Sequence, residues 1–157
     1  MRAEQLMNRD VQTCSPNATL EQAARLLWEA DLGCLVVVDD DRRPIGMLTD
    51  RDIAMAAYIQ GVLLRELSVH GTMSEHVHCC PPSAPLSEVE QLMQEQRVRR
   101  LPVVGADGVL IGIITLGDLA QNAAARPLRL PLAMPGVATT LAAVTDRRPH
   151  HQAQAAE

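Results

Sequence analysis

LGCLVVVDDDRRPIGMLTDRDI, residues 32–53, returns 66 residues later as VRRLPVVGADGVLIGIITLGDL, residues 98–119. On either side of that stretch the same shift lays residues 7–54 on 73–120 without a gap, and 17 of the 48 pairs are identical. The matches include Val11/Val77, Cys14/Cys80, Pro16/Pro82, Leu20/Leu86 and Leu35/Leu101, and they close on Gly46/Gly112, Thr49/Thr115 and Asp52/Asp118. Ungapped matching of that density marks a tandem duplication, and a repeat decides the fold before any single residue does.

Each unit reads as strand, helix, strand, strand, helix. A short strand at Val11–Cys14 stops at the turn residues Ser15-Pro16-Asn17. Thr19 is a good helix cap, and Ala23, Leu26, Leu27 and Ala30 recur at helical spacing, which predicts a helix over Leu20–Asp31. Leu35–Val38 is an unbroken apolar, β-branched run, as in a strand buried on both faces. Ile45–Leu48 predicts the next strand, and Thr49 or Asp50 caps a second helix through Tyr58. Unit two repeats this with strands at Val77–Cys80, Leu101–Val104 and Val109–Ile114 and helices at Leu86–Gln96 and Leu116–Ala123. The fold class is therefore mixed α/β (α+β), with two β-α-β-β-α units over 1–62 and 63–125 and a C-terminal extension over 126–157. A unit of this size cannot bury its own apolar sheet face. Two copies packed about a pseudo-twofold axis, sheet against sheet, leave two clefts.

The bulk composition narrows the function. Apolar residues make up 47% of the 157, yet Trp28 and Tyr58 are the only aromatics, so the core is aliphatic. All 14 basic residues are Arg, which fits a GC-rich bacterial coding bias. A net charge of -5 argues against broad attraction to nucleic acid or anionic membrane. No apolar stretch approaches the roughly 20 residues that span a bilayer, and the amino terminus lacks a secretory apolar region. A cytoplasmic location is the expectation, with Cys14, Cys34, Cys79 and Cys80 reduced.

The chemistry concentrates at Gly-h-h-Thr-x-x-Asp (h, apolar), which occurs at Gly46–Asp52 and at Gly112–Asp118. The Gly lets a backbone or a flat ligand approach the strand closely. The Thr hydroxyl and the free amides at the helix start can face a phosphate, and the Asp, one turn on, can accept ribose hydroxyls. The competing reading is a plain helix cap; the duplication at equivalent places favours a ligand. Arg99-Arg100 enters the strand Leu101–Val104, where adjacent side chains point to opposite sides, so one of them can fork onto phosphate oxygens. A solvated surface pair is the alternative. Unit one has Gly33-Cys34 at these positions and offers Arg51 where unit two has Gly117, so the clefts are expected to differ.

These residues resemble the signature half of a cystathionine-β-synthase-type (CBS) domain, and the similarity runs over about residues 1–124. The resemblance implies a stand-alone Bateman module, a non-enzymatic regulator that requires no cofactor and signals energy or metabolic state. Its ligand would be AMP, ADP or ATP, or less often NAD(H) or S-adenosylmethionine. It further implies ribose contacts for Asp118 and Asp52, ribose or phosphate contacts for Thr115 and Thr49, and phosphate contacts for Arg99 or Arg100. The segments at Val11 and at Val77-His78 would pack on adenine. A homodimer and an unidentified regulated protein are the implied partners, with neither nucleic acid nor membrane.

Other signals carry less. His76, His78 and Cys80 would share one strand face, which permits a soft-metal site, but adjacent cysteines are unlike zinc pairs. Nothing in the sequence near Cys14 or Cys80 lowers a thiol pKa, against a redox sensor. Asp39–Asp41 reads as a solvated turn. There is no Gly-rich phosphate loop, nucleophile elbow or catalytic carboxylate pair. The alternative to a ligand sensor is a ligand-free interaction dimer. In the extension, 126–135 is expected to drape over the module, 137–144 to form a short helix at a dimer interface, and 147–157 to be disordered.

Overall fold

The structure, a computed structural model, describes residues 1–125 and 140–141. After a single 3-10 turn at Ala3–Gln5, unit one runs β1 (Thr13–Cys14), α1 (Leu20–Glu29), β2 (Cys34–Val38), β3 (Pro44–Thr49) and α2 (Asp50–Gln60). A second 3-10 turn, Leu64–Glu66, leads to α3 (Leu86–Gln96), β4 (Arg100–Val104), β5 (Leu110–Thr115) and α4 (Leu116–Ala125). Capping fixes the helix starts. Thr19 accepts from Gln22 N–H while Gln22 reaches back to the Thr19 amide, and Thr49 and Asp52 form the same reciprocal pair on α2. Helix α3 starts behind Pro85 without a side-chain cap.

Pairing in the two units is the same. β2 and β3 are antiparallel with Cys34 opposite Thr49 and Leu35 opposite Leu48; β4 and β5 place Arg100 opposite Thr115 and Leu101 opposite Ile114. Each partner differs by the 66-residue shift, and both ladders slip at the same place, Val37/Val38 and Val103/Val104. The expected strand over Val11–Cys14 is only Thr13–Cys14, parallel to β2, and Val77–Cys80 reduces to one bridge, Cys80 to Val103. The physical reason lies in the partner strand. Val36 N–H donates to Gln12 O at 3.5 Å in unit one, whereas its counterpart Pro102 has no N–H to offer His78.

Two cores form, where a single sheet-on-sheet core was the expectation. One gathers Leu20, Ala23, Leu27, Leu35, Val37, Leu48 and Ile53, together with Leu67 and Val69 from the inter-unit segment. The other gathers Val89, Met93, Leu101, Val103, Ile114 and Leu119, together with Ala3 and Met7 from the amino terminus. The segment that precedes each unit therefore seats on the other unit. Asn8 pairs with Ile113 and Ser74 with Met47, positions exchanged by the same shift. The signature glycines make room for this exchange. A Cβ on Gly112 would lie 2.5 Å from Met7 Sδ, and one on Gly46 would overlap Met73 Sδ in the same way. The approaching group is thus a thioether and a neighbouring backbone, and not a ligand. The hairpin turns also touch, with Leu110 N–H donating to Arg42 O at 3.0 Å and Arg43 Nε to Asp107 O at 3.3 Å.

Of the extension, Thr140 and Leu141 are described, as helical residues; Thr140 is fully buried and accepts from Gln94 Nε2 at 2.8 Å. The expectations for 126–139 and 142–157 lie outside the described residues. Among the described residues, no helix is long and apolar enough to cross a membrane.

Candidate functional site

A cleft of about 290 Å³ lies where the two units meet. Unit one supplies Asn8, Asp10, Val11 and Gln12 ahead of β1, the α1–β2 connection Asp31–Cys34, and Val36; unit two supplies Arg100, Ile113, Thr115 and Asp118. Local folding aims each group. Asp31 holds φ 52°, a left-handed turn that ends the helix and sends the chain into β2; Arg97 holds φ 53° at the corresponding point of unit two. Val36 and Ile113 belong to the paired strands, so they give the cleft apolar walls on a rigid support.

At the α4 start, Thr115 N–H and the Thr115 hydroxyl both donate to Asp118 Oδ2 at 2.7 Å, and Asp118 N–H donates to Thr115 Oγ1 at 3.1 Å. The helix-cap reading of this motif is thus realised in the structure. It does not exhaust the carboxylate: among the described residues Asp118 Oδ1 accepts no hydrogen bond. One oxygen is held by the cap and the other is left for a hydroxyl donor. The Thr115 proton is spent on Asp118, which leaves that hydroxyl only acceptor capacity.

Arg100 is half-buried at the β4 entrance, and its Nη2 lies 3.3 Å from where a Cβ on Gly33 would be. Any side chain at residue 33 would crowd the guanidinium. Burial pushes the neighbouring Cys34 thiol up; Arg100 pulls it down and Asp50 pushes it up again.

Four of the ten sequence candidates, Val11, Arg100, Thr115 and Asp118, come together here. Arg99 is exposed and outside the lining, as adjacent strand residues require. Arg51 is exposed on α2. Thr49 and Asp52 repeat the cap on α2, with Thr49 Oγ1 donating to Asp52 Oδ2 at 2.7 Å, and with Val77 and His78 they lie outside this cleft. They occupy the positions that the 66-residue shift gives for a second one. Sequence reasoning missed Asn8, Asp10, Asp31 and Ile113. The available signal was the shift itself, since residues equivalent in the repeat must face equivalent clefts. Cys14 and Cys80 are buried, and burial raises both thiols to about 11. The described residues hold no group of three or more His, Cys, Asp or Glu that could bind a metal ion.

The sequence model of the CBS domain matches residues 3–58 and again 64–125. The CBS domain-containing protein YhcV of Bacillus subtilis is 40% identical over 116 residues, which is 74% of this chain and 81% of YhcV. Hypoxic response protein 1 of Mycobacterium tuberculosis is 32% identical over 120 residues, 76% of this chain and 83% of that protein. The crystal structure of Hypoxic Response Protein I, which has two coordinated zinc ions, matches with a TM-score of 0.71 over 81% of this chain and 100% of its own. The CBS domain pair of protein MJ0100, solved with 5′-methylthioadenosine and S-adenosyl-L-methionine, shares the fold at 22% identity, TM-score 0.69, over 78% of this chain and 94% of its own. With both copies of the signature matched and the segment exchange intact, this chain belongs to the CBS domain family, as a tandem pair of its domains.

Proposed function

We propose that the chain is a non-enzymatic regulatory module that binds an adenosine-containing ligand in the cleft between its units. The observation that carries this reading is Asp118 Oδ1, which among the described residues is the unpaired half of a carboxylate whose other oxygen is fixed by Thr115, in a cleft walled by Val11, Val36 and Ile113. A carboxylate so held accepts ribose hydroxyls without having to be ordered first, and the apolar walls take a flat base. Among the described residues that line it, Arg100 supplies the cation. The adenosyl ligands of the MJ0100 pair support the choice of ligand class. Because the lining comes from both units, occupancy ties them together, and that is the signal a partner protein reads.

A second copy of the chain is the partner we assign to the outer face of unit one. There Trp28, Tyr58 and Ile59 are 87%, 82% and 73% exposed on α1 and α2, beside an apolar trough of about 420 Å³. Exposed apolar clusters of this kind mark association surfaces. In unit two the position of Trp28 is taken by Gln94, which bonds the buried Thr140 of the same chain. Pairing through unit one is therefore expected, and sedimentation at micromolar concentration checks it.

The deciding experiment is a thermal-shift and calorimetric screen with AMP, ADP, ATP, NADH and S-adenosylmethionine. A ligand that binds only the native state at 100 times its Kd adds about 2.7 kcal/mol to stability. Asp118→Ala should cost about 1–3 kcal/mol of affinity for a ligand held in this cleft. Unchanged affinity in the folded variant refutes the ribose role, and multiple turnover of ATP refutes the non-enzymatic reading.

A further inference from the structure

The repeat puts residues of opposite charge at the positions equivalent to the cleft lining. The cleft described above is lined by Asp10, Asp31 and Asp118 against a single guanidinium, Arg100. The pseudo-twofold relation says what stands at the corresponding places: every partner of the β2–β3 and β4–β5 ladders, and the exchanged bridges Asn8–Ile113 and Met47–Ser74, obey the 66-residue shift. Applied to the lining residues, that shift turns Asp10 into His76, Gln12 into His78, Asp31 into Arg97, Gly33 into Arg99 and Cys34 into Arg100, turns Arg100 into Cys34, and leaves Asp52 as the only carboxylate among them. Arg97 even repeats the left-handed backbone of Asp31, so the reversal of charge is made on one conformation. Three carboxylates against one guanidinium become one carboxylate against three guanidiniums and two imidazoles, with Arg100, the counterpart of Cys34, common to both places.

A cleft of the first kind repels phosphate, and at about 290 Å³ it sits just below the roughly 300–1,000 Å³ of ordinary ligand pockets, near the size of a nucleoside. We propose that the cleft beside Asp118 selects an adenosine compound without phosphate, neutral or sulfonium-bearing, and that phosphorylated adenosine compounds go to the positions around Asp52. This rests on the adenosine reading above and adds the division between the clefts. The chain then compares two ligand pools, where a module with two like clefts would measure one.

The test is calorimetry on the full chain with 5′-methylthioadenosine, S-adenosylmethionine and AMP, repeated on Asp118→Ala, Asp52→Ala and Asp31→Arg. The phosphate-free compounds should lose binding in Asp118→Ala and keep it in Asp52→Ala, and AMP should show the reverse. Asp31→Arg places at an exposed turn the residue that unit two already accommodates there. It should raise AMP affinity at the Asp118 cleft several-fold, more at low salt than at high salt. AMP bound more tightly than 5′-methylthioadenosine, and lost in Asp118→Ala alone, overturns the division while leaving the adenosine reading intact. No binding by any of the three overturns both.

Discussion

A methyl group added at Gly112 would stand 2.5 Å from Met7 Sδ and 3.1 Å from Asn8 O, so this glycine is held by packing against a distant part of the chain. Gly112→Ala should destabilise the fold by about 1–3 kcal/mol, as overpacking does. Met7→Ala in the same molecule should recover part of that loss, because it removes the atom in the way. Chemical denaturation of the two single variants and the double variant measures the coupling, and strict additivity would deny the contact. The thiols make a second residue-level prediction. Burial raises Cys14 and Cys80 from 9.0 to about 11. The unfolded chain therefore releases these protons first, and stability present below pH 9 is lost as pH rises from 9 towards 11. Each thiol contributes about 2–3 kcal/mol to that loss. Urea midpoints at pH 8 and pH 10.5 should fall apart in the native protein and draw together in Cys14→Ala/Cys80→Ala.

Among the elements, the difference between β1 and its absent counterpart traces to one atom. Pro102 lacks the amide that Val36 turns towards Gln12, so His78 has no donor opposite it and the first strand of unit two is a single bridge at Cys80. Pro102→Val should extend the pairing back to His78, seen as a slowly exchanging amide at residue 102; a fast one would show that something else holds the segment off. This exposes where sequence reading succeeds. The helices were legible because their caps and apolar spacing are local: Leu86–Gln96 came out as read, and Thr49 is the cap of α2. The strand at Val77 was not, because its failure depends on a residue 25 positions away. The site divides along the same line. Thr115 and Asp118 announce themselves by a repeated motif, and Arg100 by its place at a strand entrance. Asp10 reaches the cleft on the exchanged leading segment, and Asp31 and Gly33 through the apposition of the α1–β2 connection with unit two, which no local pattern encodes.

For the whole molecule, that exchange decides which parts stand or fall together. Residues 1–8 put Ala3 and Met7 into the core of unit two, and Leu67 and Val69 complete the core of unit one. Deleting residues 1–8 should therefore loosen β4, β5 and α3 and leave β2 and β3 closed. Hydrogen exchange followed by mass spectrometry separates the two regions, and protection lost first near the deletion, in β1 and β2, would contradict the exchanged packing. The same feature bears on descent. A single unit whose leading segment sits as it does here, away from its own socket, would close its core by trading plugs with an identical molecule. Such a pair falls apart on dilution. Joining the two genes holds the second copy at a high, fixed effective concentration and makes the trade independent of how much protein the cell makes. Joined copies are also free to differ, and the contrast between Asp31 and Arg97 at equivalent turns is one that a pair of identical molecules cannot hold.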